Sequence, residues 1–383
     1  MSGALWEILA IAVLASVACA LVGVFLVLRR LAMLSDAISH AILPGIVLAY
    51  FATKDLNSPW LVLAAAATGV LTVGAVEALA RTRRLKEDAA MGIVFPALFS
   101  LGVVLITRFA GHVHLDVDSV LLGELAFAPF DRMILGGHDV GARGLWLMGG
   151  VALLNASAIA AFYKELKLAT FDAGLAASLG LAPAVIHYGL MGLVSVTAVS
   201  AFDAVGLVLV VALMIGPAAA ASLLTDRLAV MLLLAAGLGA ASAAGGFVLA
   251  WALDASIAGA MAVGVGVMFA LVFLAAPRRG LLATLLRRRR QRLEFAAVML
   301  AIHLAQHEGT ADEDEESRVE HLQGSHVGWT PRFTARVVDF ALDREWIGRD
   351  GGRLHLTEAG RNEAGRALSG LGRRFAADLG AGI

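Results

Sequence analysis

Charge, aromatic rings and thiols are all scarce in this chain. Of its 383 residues, 16% are charged and 7% aromatic, against about 25% charged in an ordinary soluble domain. The single cysteine, Cys19, lies in an apolar run. One thiol excludes a disulfide framework and any Cys-based zinc site, and Cys19 reads as a small buried hydrophobe. The lysines are Lys54, Lys86, Lys164 and Lys167, and none follows a glycine. The chain therefore has no G-x-x-x-x-G-K-[ST] loop to cradle nucleotide phosphates. A His-Glu-x-x-His helix and a Gly-x-Ser-x-Gly elbow are missing as well. These absences argue against an enzyme and place any ATP hydrolysis on a separate chain. A net charge of −1 gives no global basic field for nucleic acid. The first residues, Met1 to Glu7, carry no positive charge, so the apolar run behind them is not a secretory signal.

What is abundant is apolar sequence, 59% of the chain, and it comes in runs. Crossing a bilayer takes about 20 apolar residues. Nine stretches qualify: 5–28, 32–52, 60–80, 90–109, 145–163, 185–201, 204–223, 229–252 and 257–276. Residues 291–383 hold 15 of the 31 carboxylates, so the last quarter differs in kind. The fold class expected is an all-α polytopic membrane protein of about nine transmembrane helices with a small α+β winged-helix cytoplasmic domain. The membrane domain is expected over residues 1–285 and the charged domain over 292–375.

Lys/Arg asymmetry between alternate loops sets orientation. Arg29, Arg30, Arg81, Arg83, Arg84, Lys86, Lys164, Lys167, Arg227, Arg278, Arg279 and Arg287 to Arg290 make 15 on one side; Lys54, Arg108, Arg132 and Arg143 make four on the other. The richer side is expected to be cytoplasmic, with the N-terminus outside and the tail inside a bacterial cytoplasmic membrane. In the tail, helices are expected over 292–307, 331–346 and 358–369. An acidic loop is expected at 310–316 and a hairpin around Asp350-Gly351-Gly352. That order reads as a winged helix-turn-helix.

Ionisable groups inside a bilayer cost about 2.5–3.5 kcal/mol each on insertion scales. The spans hold Glu7, Asp36, His40, Glu77, Arg108 and His187. Glu7 and Arg108 sit near span ends and read as interfacial anchors. Glu77 is one turn from Arg81 and reads as a structural ion pair; His187 reads as a packed neutral imidazole. Asp36 and His40 differ. They are four residues apart, share one helical face, and His40 lies near the middle of its span. A carboxylate and an imidazole are ligands for a first-row divalent metal; an Asp–His hydrogen bond across one turn is the other reading. Two donors leave the shell incomplete, and Pro44-Gly45 one turn on could turn carbonyls towards the site. In the outer loop His112, His114, Asp116 and Asp118 alternate, so an extended strand would put all four on one face. They read as a candidate divalent site or as a solvated strand edge. In the tail His303, His307, His321 and His326 accompany the acidic run. The favoured reading there is a solvated helical face, with a second, regulatory metal site as the alternative.

At Gly23-Val24-Phe25-Leu26-Val27-Leu28-Arg29-Arg30-Leu31-Ala32-Met33-Leu34-Ser35-Asp36-Ala37-Ile38-Ser39-His40-Ala41-Ile42-Leu43-Pro44-Gly45 the chain resembles the permeases of ATP-binding-cassette transporters for manganese, zinc and iron. The runs 85–93, 116–124, 171–176 and 205–221 resemble the same family, so the likeness spans about residues 5–280. It implies a membrane permease subunit of an importer for divalent transition metals, with the metal as cargo and no permanently bound cofactor. It implies as partners a cytoplasmic pair of ATPases, an extracytoplasmic metal-binding protein and a second permease subunit, identical or different, around a dimeric pathway in membrane lipid. It also implies that Asp36 and His40 are the pathway's metal-coordinating pair. The ATPase-docking helix would lie over 171–180, through Phe171, Asp172, Ala173, Gly174, Ala177 and Gly180. Leu356-Thr357-Glu358-Ala359-Gly360-Arg361 is similar to the segment after the wing in metal-dependent repressors, but this tail is acidic. DNA contact calls for a basic face, so protein docking or regulation is expected instead of nucleic acid. Two rival readings remain at this point. One is a gradient-driven secondary transporter with Asp36, Glu77 and Asp203 as a proton relay. The other is a membrane-tethered transcription regulator.

Overall fold

The computed structural model describes residues 3–54, 58–109, 125–135, 138–323 and 328–380. His112, His114, Asp116 and Asp118 lie outside the described residues, as does His326. The chain divides into two compact units, Met1–Gly280 and Leu281–Ile383. Among the described residues, nine helical stretches are long and apolar enough to cross a bilayer.

In the first unit α1 (Gly3–Leu28) is apolar on every side and buried on every side, with Ile11, Ala12, Ala15, Cys19 and Val22 sealed. It packs against α6 (Arg143–Ala161), α9 (Pro183–Val205), α10 (Leu207–Leu224) and α11 (Leu228–Leu253). Lipid gives helices no hydrophobic reason to associate, so close backbone approach does the work. A Cβ on Gly23 would stand 1.9 Å from the Met214 carbonyl oxygen of α10. One on Gly246 would stand 2.4 Å from Met261 Cα in α12 (Ile257–Ala275). The buried Asn155 amide on α6 donates to the Ala18 carbonyl at 3.1 Å and to Thr197 Oγ1 at 2.8 Å. Its Nδ2 thereby ties three helices.

The second apolar stretch is not one rod. It is α2 (Ala32–Ala41) and α3 (Leu43–Thr53), parted at Ile42. The cause is Pro44, which has no N–H to offer the carbonyl of His40 four residues back. Both halves pack on α4 (Pro59–Arg81) and α5 (Glu87–Phe109). A Cβ on Gly45 would come within 2.1 Å of Thr68 Oγ1 and 2.6 Å of the Ala64 carbonyl oxygen, so the α3 backbone lies directly on α4.

Between α5 and α6 the described chain forms a hairpin of β1 (Arg132–Leu135) and β2 (His138–Ala142), which the sequence pattern did not foretell. Arg132 contacts Glu7 of α1 at 3.0 Å and Asp139 at 2.8 Å. Glu7 is therefore an ion-pair partner of the hairpin, and hydrogen bonding from Arg132 holds the Asp139 carboxyl below its usual value.

In the second unit one helix, α13 (Leu281–His307), runs straight through Arg287 to Arg290, so the helix expected over 292–307 begins earlier than its apolar pattern shows. There follow α14 (Glu313–Glu316), α15 (Pro331–Asp343), the antiparallel pair β3 (Ile347–Asp350) and β4 (Arg353–Leu356), and α16 (Glu358–Gly380). Gly351 and Gly352 both have positive φ, the backbone that a two-residue turn with the strands' own twist demands. The core gathers Leu300, Leu304, Val337, Val338, Trp346, Ile347, Leu354 and Leu356. α14 stands inside the stretch expected to be an acidic loop.

Candidate functional site

The polar face of α2 is built by position. Ser35 Oγ donates to the Ala32 carbonyl at 3.0 Å and Ser39 Oγ to the Ser35 carbonyl at 2.9 Å, so both buried hydroxyls are engaged by their own helix. That leaves Asp36 and His40 as the ionisable groups of α2, with His40 Nε2 at 3.7 Å from Asp36 Oδ1. The distance is too long for a good hydrogen bond. The two side chains keep 38% and 30% of their accessibility. Phe95 and Phe99 of α5 flank the imidazole, with ring centres 5.7 and 6.0 Å away. The result is two donors on one helix face, aromatic on one side, open on the other, one residue before a broken helix.

A second polar cluster joins residues that the sequence treated separately. Glu77 Oε1 on α4 lies 2.6 Å from His187 Nε2 on α9. Glu77 Oε2 accepts from Tyr188 Oη at 2.9 Å and from Arg81 at 3.4 Å. Arg29, just past α1, donates to His187 Nδ1 at 2.9 Å and through Nε to Thr170 Oγ1 at 3.2 Å. Arginine cannot accept, so His187 Nδ1 is the acceptor and its proton sits on Nε2, towards Glu77. Thr170 belongs to α7 (Tyr163–Phe171), which runs into α8 (Ala173–Ser178). Arg29, Thr170 and Tyr188 carry no local signal of this role, because their partners are over a hundred residues away or on another span. Arg81 alone is visible from spacing.

α8 is shorter than the helix expected over 171–180. Asp172 is its N-cap, with Oδ1 accepting from the Leu175 N–H at 2.8 Å, so Phe171 ends the preceding helix instead. Gly180, at φ +82°, closes it by donating to the Ala177 carbonyl at 3.0 Å while Leu181 donates to that of Ala176 at 3.1 Å. Phe171, Leu175 and Leu179 are all exposed; Leu175 and Leu179, four apart, share one side of α8, while Phe171 ends the helix before it.

The tail histidines do not form the solvated face expected of them: His303 and His307 close on Glu316.

Comparison with known proteins agrees with this architecture. The ABC 3 transport family profile matches residues 2–277. The chain is 49% identical to the zinc transport system membrane protein TroD of Treponema pallidum (strain Nichols), over 92% of this chain and 96% of that protein. It is 46% identical to the manganese transport system membrane protein MntD of Bacillus subtilis (strain 168), over 75% and 97%. The TroD alignment covers 354 residues, more than the first unit holds, so it extends into the second. Among solved structures, PsaBC from Streptococcus pneumoniae in complex with Fab superposes with a TM-score of 0.61 at 27% identity, over 72% of this chain and 93% of that one. With a profile match across most of its length and relatives near half identical, the chain belongs to the ABC 3 transport family.

Proposed function

We propose that this chain is the membrane permease subunit of an ATP-driven importer of divalent transition metals, manganese, zinc or iron, and that Asp36 and His40 hold the ion in transit. The observation behind this reading is the half-open pair on α2. A carboxylate left 38% accessible inside an apolar span would be costly against lipid. That surface is stable if it lines a water-filled path or meets a second permease subunit, which would supply the missing ligands. The carbonyl of His40, freed by Pro44, is a further oxygen donor beside the pair. Zinc and manganese appear in the names of the TroD and MntD relatives, and one carboxylate with one imidazole accommodates either metal.

Orientation follows the Lys/Arg count, with the N-terminus outside and the second unit cytoplasmic in the bacterial inner membrane. An outer metal-binding protein delivers the ion. Cytoplasmic ATPase subunits grip the segment around α8, where Leu175 and Leu179 on one side of the helix, and Phe171 just before it, expose apolar surface to a soluble partner. The Thr170–Arg29 bond links that segment to the turn leading into α2, seven residues before Asp36. Glu77 is held by His187, Tyr188 and Arg81, an arrangement that suits a structural clasp better than a proton relay. The second unit, four helices and a hairpin in a winged-helix-like order, is a regulatory or docking module whose residues 291–383 carry the acidic excess.

The test is transport by the subunit reconstituted with its ATPase in vesicles. Metal uptake is expected to require the ATPase and to collapse in Asp36→Ala and His40→Ala proteins that still insert and assemble. Normal uptake by both variants would overturn the assignment. Arg29→Ala is expected to keep ATP hydrolysis while lowering metal moved per ATP.

A further inference from the structure

The second unit carries a side-chain cluster that the transport reading leaves unused. His303 and His307 stand one turn apart on α13, with ring centres 4.8 Å apart. Glu316, the last residue of α14, puts Oε2 3.2 Å from His303 Nε2 and 3.0 Å from His321 Nε2. Ligand atoms of His303, His307 and Glu316 all lie within 4.8 Å of one another. The side chains of His303, His321 and Glu316 keep only 20%, 20% and 18% of their accessibility, so this is an inward-facing group.

We propose that His303, His307, Glu316 and His321 form a binding site for a first-row divalent cation, best suited to Zn²⁺, separate from the transport pathway. The donor set argues for it. Zinc binds His nitrogen and carboxylate oxygen at about 2.0–2.2 Å in a tetrahedron, which sets donors about 3.3 Å apart. The ligand atoms of His303, His307 and Glu316, all within 4.8 Å of one another, need only a small closing movement to reach that, and His321 Nε2, 3.0 Å from Glu316 Oε2, stands beside them as the fourth donor. Three imidazoles and one carboxylate supply four donors from three chain segments, and the imidazole majority favours zinc over manganese. An ion pair would need only one histidine on Glu316; three converge.

The surroundings give a bound ion something to brace. Arg353 of β4 contacts Asp314 at 2.6 Å, Arg361 of α16 contacts Glu308 at 2.8 Å, and the Leu354 N–H donates to the Ser317 carbonyl at 2.8 Å. The segment that bears Glu316 is thus already tied to the hairpin and to the last helix. An ion at its end would cross-link α13 to both.

The experiment uses the full-length protein in detergent, in the Asp36→Ala/His40→Ala background so that the pathway pair is silent. Zn²⁺ is titrated against a chromophoric chelator, Co²⁺ replaces it for visible spectra, and thermal unfolding is followed with and without Zn²⁺. Expected are one equivalent of Zn²⁺ per chain, the intense d–d bands of tetrahedral Co²⁺, and a melting temperature that rises with Zn²⁺. Adding His303→Ala should weaken Zn²⁺ by at least about tenfold and remove the rise. His307→Gln, a milder change, should weaken binding while keeping the zinc-free melting temperature, which separates ligand loss from misfolding. No Zn²⁺ bound in the starting background, or equal binding in the His303→Ala and His307→Gln forms, would overturn the site. Metal uptake by the wild-type importer is a separate readout, so failure of the permease reading would not be mistaken for failure of this one.

Discussion

Two of the protein's His–carboxylate groupings, the Asp36–His40 pair and the cluster around Glu316, are built in opposite ways. Asp36 and His40 come from a single helix, stand 3.7 Å apart and remain about a third accessible. His303, His307, Glu316 and His321 come from three segments; His303 and His321 lie within hydrogen-bonding distance of one Glu316 oxygen, and these three side chains keep about a fifth of their accessibility. The difference teaches what donor number and closure do. Two donors on an open face can take an ion and release it, as conduction requires. Four donors around a closed centre retain it. Both begin from a residue pair spaced i, i+4 on a helix; what the rest of the chain brings to that pair decides which kind of site results.

The strongest way to break this comparison is at the open pair. Removing a group that merely supports a metal ligand typically costs about 10–100-fold, so losing Asp36 or His40 itself should lower uptake by about 100-fold, read by isotope uptake in vesicles. At the closed cluster one lost donor of four should cost less, the at least tenfold change in zinc affinity given above for His303→Ala. A pathway that tolerated loss of Asp36 better than the cluster tolerated loss of His303 would reverse the contrast. A smaller effect tests the scaffold behind the open pair. Gly45→Ala would press a methyl against Thr68 and the Ala64 carbonyl. It should destabilise the α3–α4 contact by about 1–3 kcal/mol, measured as a drop in melting temperature, while zinc binding at the tail cluster stays unchanged. The smallest effect lies at α8. Asp172→Ala removes a cap worth about 1 kcal/mol and should reduce ATPase affinity or coupled transport a few-fold, leaving both His–carboxylate groups intact.

Much of this was legible without coordinates because the membrane imposes a simple code. Apolar runs of about 20 residues mark spans, and among the described residues nine helical stretches meet the same requirement. Asp36 and His40 stood out because charge is rare around them, and their spacing already put them on one face. The Asp172 cap and the Gly180 stop are matters of local chemistry, an Asp before an alanine-rich run and a Gly after it. The break at Ile42 was only half readable: Pro44 signalled it, but the 32–52 run read as one span.

What stayed hidden was contact across sequence distance. Glu77 and Arg81 were visible as neighbours on a helix, while Arg29, His187, Tyr188 and Thr170 met them only through tertiary packing of four elements. Arg132 reaching Glu7 across 125 residues is the same case. The tail histidines show the limit most clearly. Their i, i+4 spacing fits a solvated face as well as a cluster. Only the turn of the chain that carries Glu316 and His321 back onto α13 distinguishes the two.

By itself the sequence determined the number of apolar spans, their separation from a charged tail, the pairing of Asp36 with His40 and the family likeness. Each of these follows from local composition or helical period. The tertiary structure decided that the second span is broken beside His40, that Glu77 is held in a clasp reaching the α7–α8 segment, and that the tail histidines face inward to a shared carboxylate. These depend on which distant backbone segments approach closely enough to touch. No residue encodes that alone, because the energy that sets it is summed over the packing of whole helices.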